Sequence, residues 1–356
     1  MTGRALVDAD EKQSPARIIY PVRFTANGGA MPASRRDFLL GLAAAGVAAG
    51  FSATEAQGAS QESGACPFRL AVINDEISED FDHSCQVAAQ EFGLQWIELR
   101  GMWGKNLTEL DPKQIDDARK ILDKYKLRVT DIASPLFKTD WPGAPLSKES
   151  PRRDQFHANF DFKQQDALLD HCIELARAFN TDRIRCFDFW RLDDVKPYRE
   201  AINKKLIEAT ETCDKQGIIL LLENEMSCNT GTGEEAATVL AAIPNKNFML
   251  NWDPGNAGTF PGNTPYPNGY DLLPKDRIGH CHCKDVKRDP NGKYEWEPVG
   301  GGIINWVGQF RALQQQGYHY AVSLETHWRG AGTPEASSRI SMKGLKDALK
   351  KAGISC

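Results

Sequence analysis

The sequence predicts a single (β/α)₈ barrel with a functional site at the carboxyl ends of its strands. Apolar strand-like segments alternate with amphipathic helical segments from residue 68 onward, and eight such pairs follow one another. Four of the strand-like segments end in Glu223, Asp253, His282 and Glu325, and a loop signal follows each. Side chains at the carboxyl ends of successive strands converge only when the strands are parallel and wrapped around one axis, which is the geometry of a barrel mouth.

The first four strand–helix units follow from short apolar runs bounded by polar or turn residues. The strands are predicted at 68–74, 96–100, 128–134 and 183–189, and the helices at 82–93, 112–126, 162–180 and 195–217. Pro112 at the start of the second helix and Gly217 at the end of the fourth are typical boundary residues. The long polar segment 138–160 is predicted to be an insertion after the third strand that lies over the barrel mouth.

The second half of the chain repeats this pattern. Its strands are predicted at 218–223, 248–253, 278–285 and 320–325, and its helices at 234–243, 304–317 and 337–353, with a short helical connector at 270–276. Apolar strands alternating with helices favour one closed parallel barrel. We therefore assign residues 66–356 to a single TIM barrel catalytic domain.

Residues 1–65 are predicted to be an export leader and linker. A twin-arginine pattern, SRRDFLL, begins at Ser34, and a small-residue apolar stretch then runs to Phe51. A start at Met31 would give a leader of more usual length. The expected partner of this segment is the twin-arginine export machinery, and the expected location of the mature protein is periplasmic or secreted.

The composition is that of a chain with one large core, and it argues against two classes of partner. The 356 residues are 41% hydrophobic and carry a formal net charge of −5 with mixed signs. Proteins that bind nucleic acid normally carry a basic face, so no nucleic-acid partner is expected. After the leader, no apolar run approaches the ~20 residues that a membrane span needs. The sequence leaves a homo-oligomer open.

Nine cysteines are spread along the chain, and their odd number does not suggest a disulfide framework. Cys281 and Cys283 flank His282, and strand alternation turns both away from its face. They are therefore predicted to be core residues behind the site. An oxidised pair elsewhere remains open, because the protein is expected to be exported.

Three carboxylates and one imidazole form a hard, anionic donor set at the predicted mouth. Such donors suit a divalent ion such as Mn²⁺, Mg²⁺, Co²⁺ or Zn²⁺. Further strand-end and loop residues are candidates for substrate binding: Glu98, Arg100, Asn256, Lys284 and His327. Arg185 is a weaker candidate, and alternation places His280 one layer deeper in the barrel than His282.

The motifs LLLEN, NWDPGN, HCHCKD and SLETH occur in an order that resembles the xylose-isomerase-like TIM barrels of the sugar phosphate isomerase/epimerase family. The resemblance covers about residues 68–352. It implies metal ligation by Glu223, Asp253, His282 and Glu325, with Glu223 and Glu325 also acting as the catalytic acid–base pair. Two positions depart from the family pattern, because Asn256 and Glu225 stand where many members have histidine.

The resemblance implies a divalent-metal-dependent sugar isomerase or epimerase that acts on a keto-sugar, polyol or related carbohydrate through an enediolate. Removing a proton next to a carbonyl needs a base near the carbon and positive charge near the developing oxyanion. A lyase or dehydratase acting on a keto-polyol or keto-glycoside is an alternative, because it would use the same site. A non-catalytic sugar-binding barrel is the second alternative, and the intact pair Glu223 and Glu325 argues against it.

Overall fold

Eight parallel strands form a nearly closed barrel in the part of the chain that the computed structural model describes, namely residues 66–148, 150 and 158–356. The barrel strands are β1 (Arg69–Val72), β2 (Trp96–Leu99), β3 (Arg128–Leu136), β4 (Arg183–Cys186), β5 (Ile219–Glu223), β6 (Phe248–Trp252), β7 (Ile278–Cys283) and β8 (Ala321–Leu324). The prediction of a (β/α)₈ barrel is confirmed. The predicted leader, residues 1–65, lies outside the described residues.

The order of the strands around the barrel is β1-β8-β7-β6-β5-β4-β3-β2, and every neighbouring pair is parallel. A single parallel bridge between Ile73 and Glu98 joins the two ends of this sheet just beyond β1 and within β2. The barrel therefore closes at the same end at which the predicted site residues lie.

In the described residues, seven α-helices lie between successive barrel strands and an eighth follows β8. They are α1 (Phe81–Gln86), α2 (Pro112–Tyr125), α3 (Gln165–Ala178), α4 (Arg199–Asp214), α5 (Gly233–Ala242), α6 (Pro254–Gly258), α7 (Trp306–Gln315) and α8 (Pro334–Ala352). Polar caps explain several of the starts, because Asp111 and Thr232 each form a capping box with the residue three positions later. None of the helices in the described ranges is long and apolar enough to cross a membrane.

Some predicted boundaries differ from the structure. The predicted fourth strand, 183–189, ends at Cys186, and Phe189 has a left-handed φ of 70°, which a continuing strand does not allow. The predicted helix 82–93 is α1 followed by a π-helical turn, Val87–Glu91. The predicted helical connector at 270–276 is helical only at its two ends: residues 270–271 follow the π-helical turn Pro265–Gly269, and a 3₁₀ turn covers Lys275–Arg277. The predicted insertion at 138–160 is described only in part, since residues 149 and 151–157 lie outside the described ranges.

A β-hairpin extends from the carboxyl end of β7, with arms at Asp285–Arg288 and Tyr294–Glu297. The Asp285 carboxylate holds the base of this hairpin. Its oxygens accept hydrogen bonds from the backbone N–H groups of Val286, Gly300 and Ile304 at 2.9–3.1 Å. Because Asp285 lies only two residues after the end of β7, the hairpin is fixed beside the mouth.

The nine cysteines divide into one disulfide and seven free thiols, and all of them lie in the described part of the chain. Cys281 and Cys283 are fully buried in the apolar core, which confirms the prediction made for them. Cys66, just before β1, is bonded to Cys356, which follows α8, across a sequence separation of 290 residues. This disulfide joins the two ends of the chain segment that forms the barrel.

Replacing Cys356 by Ser should lower the melting temperature, because the disulfide restricts the unfolded chain. A native disulfide typically contributes about 2–4 kcal/mol, which corresponds to roughly 3–7 °C for a domain of this size. Scanning calorimetry with and without a reductant measures the effect, and only the wild-type protein should respond to the reductant. Thiol titration of the unfolded wild-type protein should count seven thiols before reduction and nine after it. An unchanged melting temperature would show that the bond is absent or without effect.

Candidate active site

The four residues predicted to ligate a metal ion converge at the carboxyl end of the barrel. Glu223 is the last residue of β5, Asp253 follows β6, His282 lies near the end of β7, and Glu325 follows β8. One potential ligand atom from each of the four lies within 4.8 Å of the others, and all four side chains are buried. Their roles as ligands and as acid–base groups stay predictions.

Three carboxylate oxygens surround one ring nitrogen of His282. Its Nδ1 lies 3.2 Å from Glu223 Oε1, 3.3 Å from Glu325 Oε2 and 3.6 Å from Asp253 Oδ2. A ring nitrogen carries at most one hydrogen, so it cannot satisfy three anionic oxygens by hydrogen bonding. Buried carboxylates that converge in this way call for a cation, and three oxygen donors with one nitrogen donor fit a divalent metal ion.

Asn256 holds two of these carboxylates in place, those of Asp253 and Glu223. Asp253 is the N-cap of α6, and its Oδ1 accepts the backbone N–H of Asn256 at 2.8 Å. Its Oδ2 accepts no hydrogen bond of good geometry, although Lys284 Nζ lies 2.8 Å away. Asn256 also donates its side-chain amide to Glu223 Oε1 at 3.2 Å. Asn256, predicted to bind substrate, is therefore seen in this structure to orient two of the predicted ligands.

The opposite nitrogen of His282 faces a buried polar chain beneath the site. Its Nε2 lies 3.0 Å from Glu98 Oε1 and 3.1 Å from the side-chain nitrogen of Asn251. Glu98 Oε2 lies 3.2 Å from His280 Nε2, and His280 Nδ1 lies 3.4 Å from Asp131 Oδ1. Glu98 was predicted to be a substrate contact, but it is fully buried and touches both histidines. A carboxylate on Nε2 leaves Nδ1 to face the other three acids.

The charges of this network shift the pKa values of its members. Burial alone would lower the pKa of His282, but Glu98, Glu223 and Glu325 outweigh burial and raise it well above its usual range. Burial alone would raise the pKa of Glu223, but His282 and Arg185 lower it to about 2. The pKa of Asp131 rises to about 6, because burial and the neighbouring Glu98 both disfavour its ionised form. Glu223 is therefore a carboxylate at neutral pH.

Three basic side chains balance the acids at the mouth. Arg185 Nη1 lies 3.1 Å from Glu223 Oε2, and Arg100 Nη1 donates to Glu325 Oε1 at 2.7 Å. Lys284 Nζ contacts both Asp253 and Glu325. Arg100 and Lys284 were predicted to bind substrate, yet both are buried and paired with acids of the protein. Arg185, a weaker candidate in the sequence, lies in direct contact with a predicted ligand.

Sequence reasoning missed Glu76, which belongs to a 3₁₀ turn after β1. Its carboxylate is fully buried and accepts from Arg100 Nη2 at 2.8 Å and from Arg329 Nη2 at 2.9 Å. His327 Nε2 lies 3.4 Å from Glu76 Oε1 and 3.3 Å from Glu325 Oε1. The only available signal was an acidic residue shortly after the first strand, a common feature of loops.

An aromatic side chain lies beside His327 at the mouth. Trp296, on the second arm of the hairpin, makes an edge contact with the His327 ring at a centroid distance of 5.5 Å.

His327 has a left-handed φ of 45°, and Trp103, Phe137 and Phe189 share this feature after β2, β3 and β4. Non-glycine residues in this conformation are strained and often found at functional sites. All four lie on the side of the barrel that carries the four predicted ligands.

Comparison with known proteins places this chain among related barrels. Residues 87–348 match the family described as "Xylose isomerase-like TIM barrel". Among curated proteins, the L-ribulose-5-phosphate 3-epimerase UlaE of Escherichia coli O8 (strain IAI1) is 20% identical over 270 residues, which cover 75% of this chain and 93% of that protein.

Two solved structures share the fold at low sequence identity. The protein called IOLI, solved with a bound zinc atom, superposes with a TM-score of 0.61 at 17% identity. This superposition covers 80% of this chain and 99% of the IOLI chain. The D-psicose 3-epimerase of Clostridium cellulolyticum H10, solved with D-tagatose, superposes with a TM-score of 0.55 at 16% identity. This superposition covers 80% of this chain and 98% of the epimerase chain. At these identities the likeness to solved structures shows the fold alone.

The Glu76 carboxylate should make the stability of the metal-free protein depend on pH. Burial would raise the pKa of Glu76, but His327, Arg100 and Arg329 lower it from 4.5 to about 2. The ionised group therefore stabilises the fold above pH 4.5, and this contribution is lost as the pH falls from 4.5 to about 2. Glu76→Gln should destabilise the protein by on the order of 3 kcal/mol at pH 7 and by less than half of that amount at pH 3.

Urea unfolding at both pH values, in the presence of a chelator, measures this difference. Glu295→Gln removes an exposed carboxylate from the hairpin and serves as the matched control, with little effect expected at either pH. A Glu76→Gln penalty of equal size at pH 7 and pH 3 would show that packing, and not charge, accounts for the effect.

Proposed function

The chain belongs to the xylose isomerase-like TIM barrel family, and on that premise we propose that it is a divalent-metal-dependent sugar isomerase or epimerase. The proposed substrate is a keto-sugar, a polyol or a related carbohydrate. One observation carries the proposal: two buried glutamates, Glu223 and Glu325, share the barrel mouth with Asp253 and His282 within 4.8 Å. The sugar epimerases among its relatives and structural neighbours support the same class of reaction.

The residues that would hold the ion are Glu223, Asp253, His282 and Glu325. A bound divalent ion would supply Lewis-acid polarisation of a substrate carbonyl. The donor set does not select among Mn²⁺, Mg²⁺, Co²⁺ and Zn²⁺, and the zinc atom in the neighbouring IOLI structure supports a divalent ion in general. The hydrogen bond from His282 Nε2 to Glu98 would keep Nδ1 turned toward the ion.

Proton transfer is assigned to the two glutamates. The pKa of Glu325, like that of Glu223, lies well below its usual range, because Lys284, His327 and His282 outweigh the effect of burial. Both groups are therefore ionised and can accept a proton. Glu223 ends β5 and Glu325 follows β8, three strands further along the barrel sheet, so they reach the mouth from different sides. A sugar carbon between them would present one face to each carboxylate, as two-base epimerisation requires.

The structure favours a substrate without a phosphate group. The Gly300-Gly301-Gly302 loop is the strongest sequence candidate for a phosphate cradle, because backbone N–H groups bind phosphate. Here the N–H of Gly300 donates to Asp285 and that of Gly301 to the Pro298 carbonyl, at 2.9 and 2.8 Å. These donors are already occupied within the protein. The aromatic face of Trp296 beside the mouth suits the apolar face of a sugar ring.

Export of the protein through the twin-arginine pathway to the periplasm, or its secretion, is part of the proposal. It depends on the leader pattern in residues 34–51. The Cys66–Cys356 disulfide supports it, because disulfides persist mainly in oxidising compartments. A free sugar or glycoside is a more natural substrate there than a cytosolic sugar phosphate.

A lyase or dehydratase is the second candidate, and the position of His327 favours it. Its ring lies between Glu76 and Glu325 and is about one-fifth exposed at the mouth. An imidazole in this position can protonate a leaving oxygen after a neighbouring carboxylate has removed the α-proton. Elimination from a keto-polyol or keto-glycoside would then use the same enediolate as the isomerase reaction.

Incubating the protein with Mn²⁺ and a panel of keto-sugars in D₂O should separate these functions. Deuterium incorporation next to the carbonyl without elimination is the expected isomerase result, whereas loss of water or of an aglycone would establish the lyase.

Glu223→Gln and Glu325→Gln should each lower kcat at least ~10²-fold, the lower range for general acid–base catalysis. Glu208→Gln, an exposed change on α4, is the matched control. Near wild-type turnover by either test variant with metal bound would refute the two-base mechanism, and no exchange with any sugar would favour a binding protein.

Metal dependence is tested by His282→Ala. Loss of a residue that only hydrogen-bonds to a metal ligand typically weakens metal binding ~10–100-fold. Removing a ligand itself should weaken metal binding by more than this. The barrel should still fold, since its apolar core lies between the strands and the surrounding helices. Metal analysis after dialysis and circular dichroism measure the two properties, with the exposed His319→Ala as control. Retention of stoichiometric metal by His282→Ala would show that the ligands lie elsewhere.

A further inference from the structure

Lys284 is a fully buried lysine directly after β7. It follows His282 by two residues, so strand alternation turns both side chains toward the site. A Cβ atom on Gly255 would lie 2.9 Å from the Cβ and Cγ atoms of Lys284. The absence of a side chain at Gly255 therefore leaves room for the lysine stem, and this packing holds the ammonium inside the site.

The ammonium contacts the oxygens that point toward the predicted metal position. Lys284 Nζ lies 2.8 Å from Asp253 Oδ2 and 2.5 Å from Glu325 Oε2. The same two oxygens face His282 Nδ1 at 3.6 and 3.3 Å. A metal ion held by the four acidic and histidine ligands would use these oxygens too. Two cations on one pair of oxygens repel each other strongly at the low effective dielectric constant of a buried site.

The two arginines of the site differ from Lys284 in this respect. Arg100 pairs with Glu325 Oε1, and Arg185 pairs with Glu223 Oε2. The oxygens that face His282 Nδ1 are the other ones, Glu325 Oε2 and Glu223 Oε1. The arginines can therefore stay in place beside a metal ion, whereas Lys284 cannot keep both of its contacts.

We propose that Lys284 is a built-in competitor of the metal ion. Its ammonium balances Asp253 and Glu325 when the metal is absent, and metal binding displaces Nζ from at least one of these two carboxylates. The Trp296 ring centroid lies 5.1 Å from Nζ and offers the displaced ammonium a cation–π partner at the mouth. This inference depends on the metal site of the proposed function. It adds that the charge of this lysine lowers the affinity of the site for its metal ion.

Calorimetric titration of the metal-free full chain with Mn²⁺ tests the proposal. Lys284→Met removes the charge at similar length and should raise the affinity for Mn²⁺ at least about tenfold, because a like charge a few ångströms away is lost. Lys284→Gln also removes the charge but keeps a hydrogen-bond donor for Asp253 and Glu325, so it covers the case that Lys284→Met does not fold. Lys287→Met is the matched control, since Lys287 is half-exposed on the hairpin and pairs with Glu297.

Thermal unfolding with and without Mn²⁺ provides a second measurement. The increase in melting temperature on adding saturating Mn²⁺ should be larger for both Lys284 variants than for the wild-type protein and Lys287→Met. Equal or weaker Mn²⁺ affinity in both Lys284 variants, with normal binding by the wild-type protein, would overturn the competition and leave the proposed function intact. Absence of Mn²⁺ binding by the wild-type protein and by every variant would overturn both.

Discussion

The structure of the mouth depends on one constraint, the burial of several carboxylates around a single histidine. The His282 ring lies within hydrogen-bonding or ion-pair distance of four carboxylates, those of Glu98, Glu223, Asp253 and Glu325. An unpaired buried carboxylate costs several kcal/mol, so a fold that collects four of them must supply positive charge nearby. Arg100, Arg185 and Lys284 supply it from three different strand ends. Below the mouth, Glu98 also contacts His280, and His280 contacts a further buried acid, Asp131.

The sequence was sufficient to predict the barrel and the four inward-facing residues near the strand ends. Both conclusions depend on local information, namely apolar runs, loop signals and the alternation of strand side chains. Alternation also placed His280 one layer below His282, and the structure shows it there, in contact with Glu98 and Asp131. The local alternation of side chains thus predicts on which face of a strand a given residue lies.

The partners of these residues could not be predicted in the same way. Glu98 and Arg100 end a strand, which suggested contact with a substrate, but whether a strand-end side chain meets solvent or another strand depends on the closure of the barrel. Glu76 joins the network through Arg100, which follows β2, and through His327 and Arg329, which follow β8 about 250 residues away in the sequence. Arg185 looked unremarkable because its acid, Glu223, belongs to the next strand.

The disulfide between Cys66 and Cys356 changes the topology of the chain. With their Cα atoms 4.4 Å apart, the two ends of the barrel segment meet, and the backbone from residue 66 to residue 356 becomes a covalent ring. A single proteolytic cut in a surface loop, such as the tip of the hairpin near Gly292, would open this ring without releasing a fragment. The same proximity makes the barrel suitable for circular permutation, in which the old ends are fused and new ones are opened elsewhere. After a single nick, the mouth residues would thus remain in one covalently linked piece.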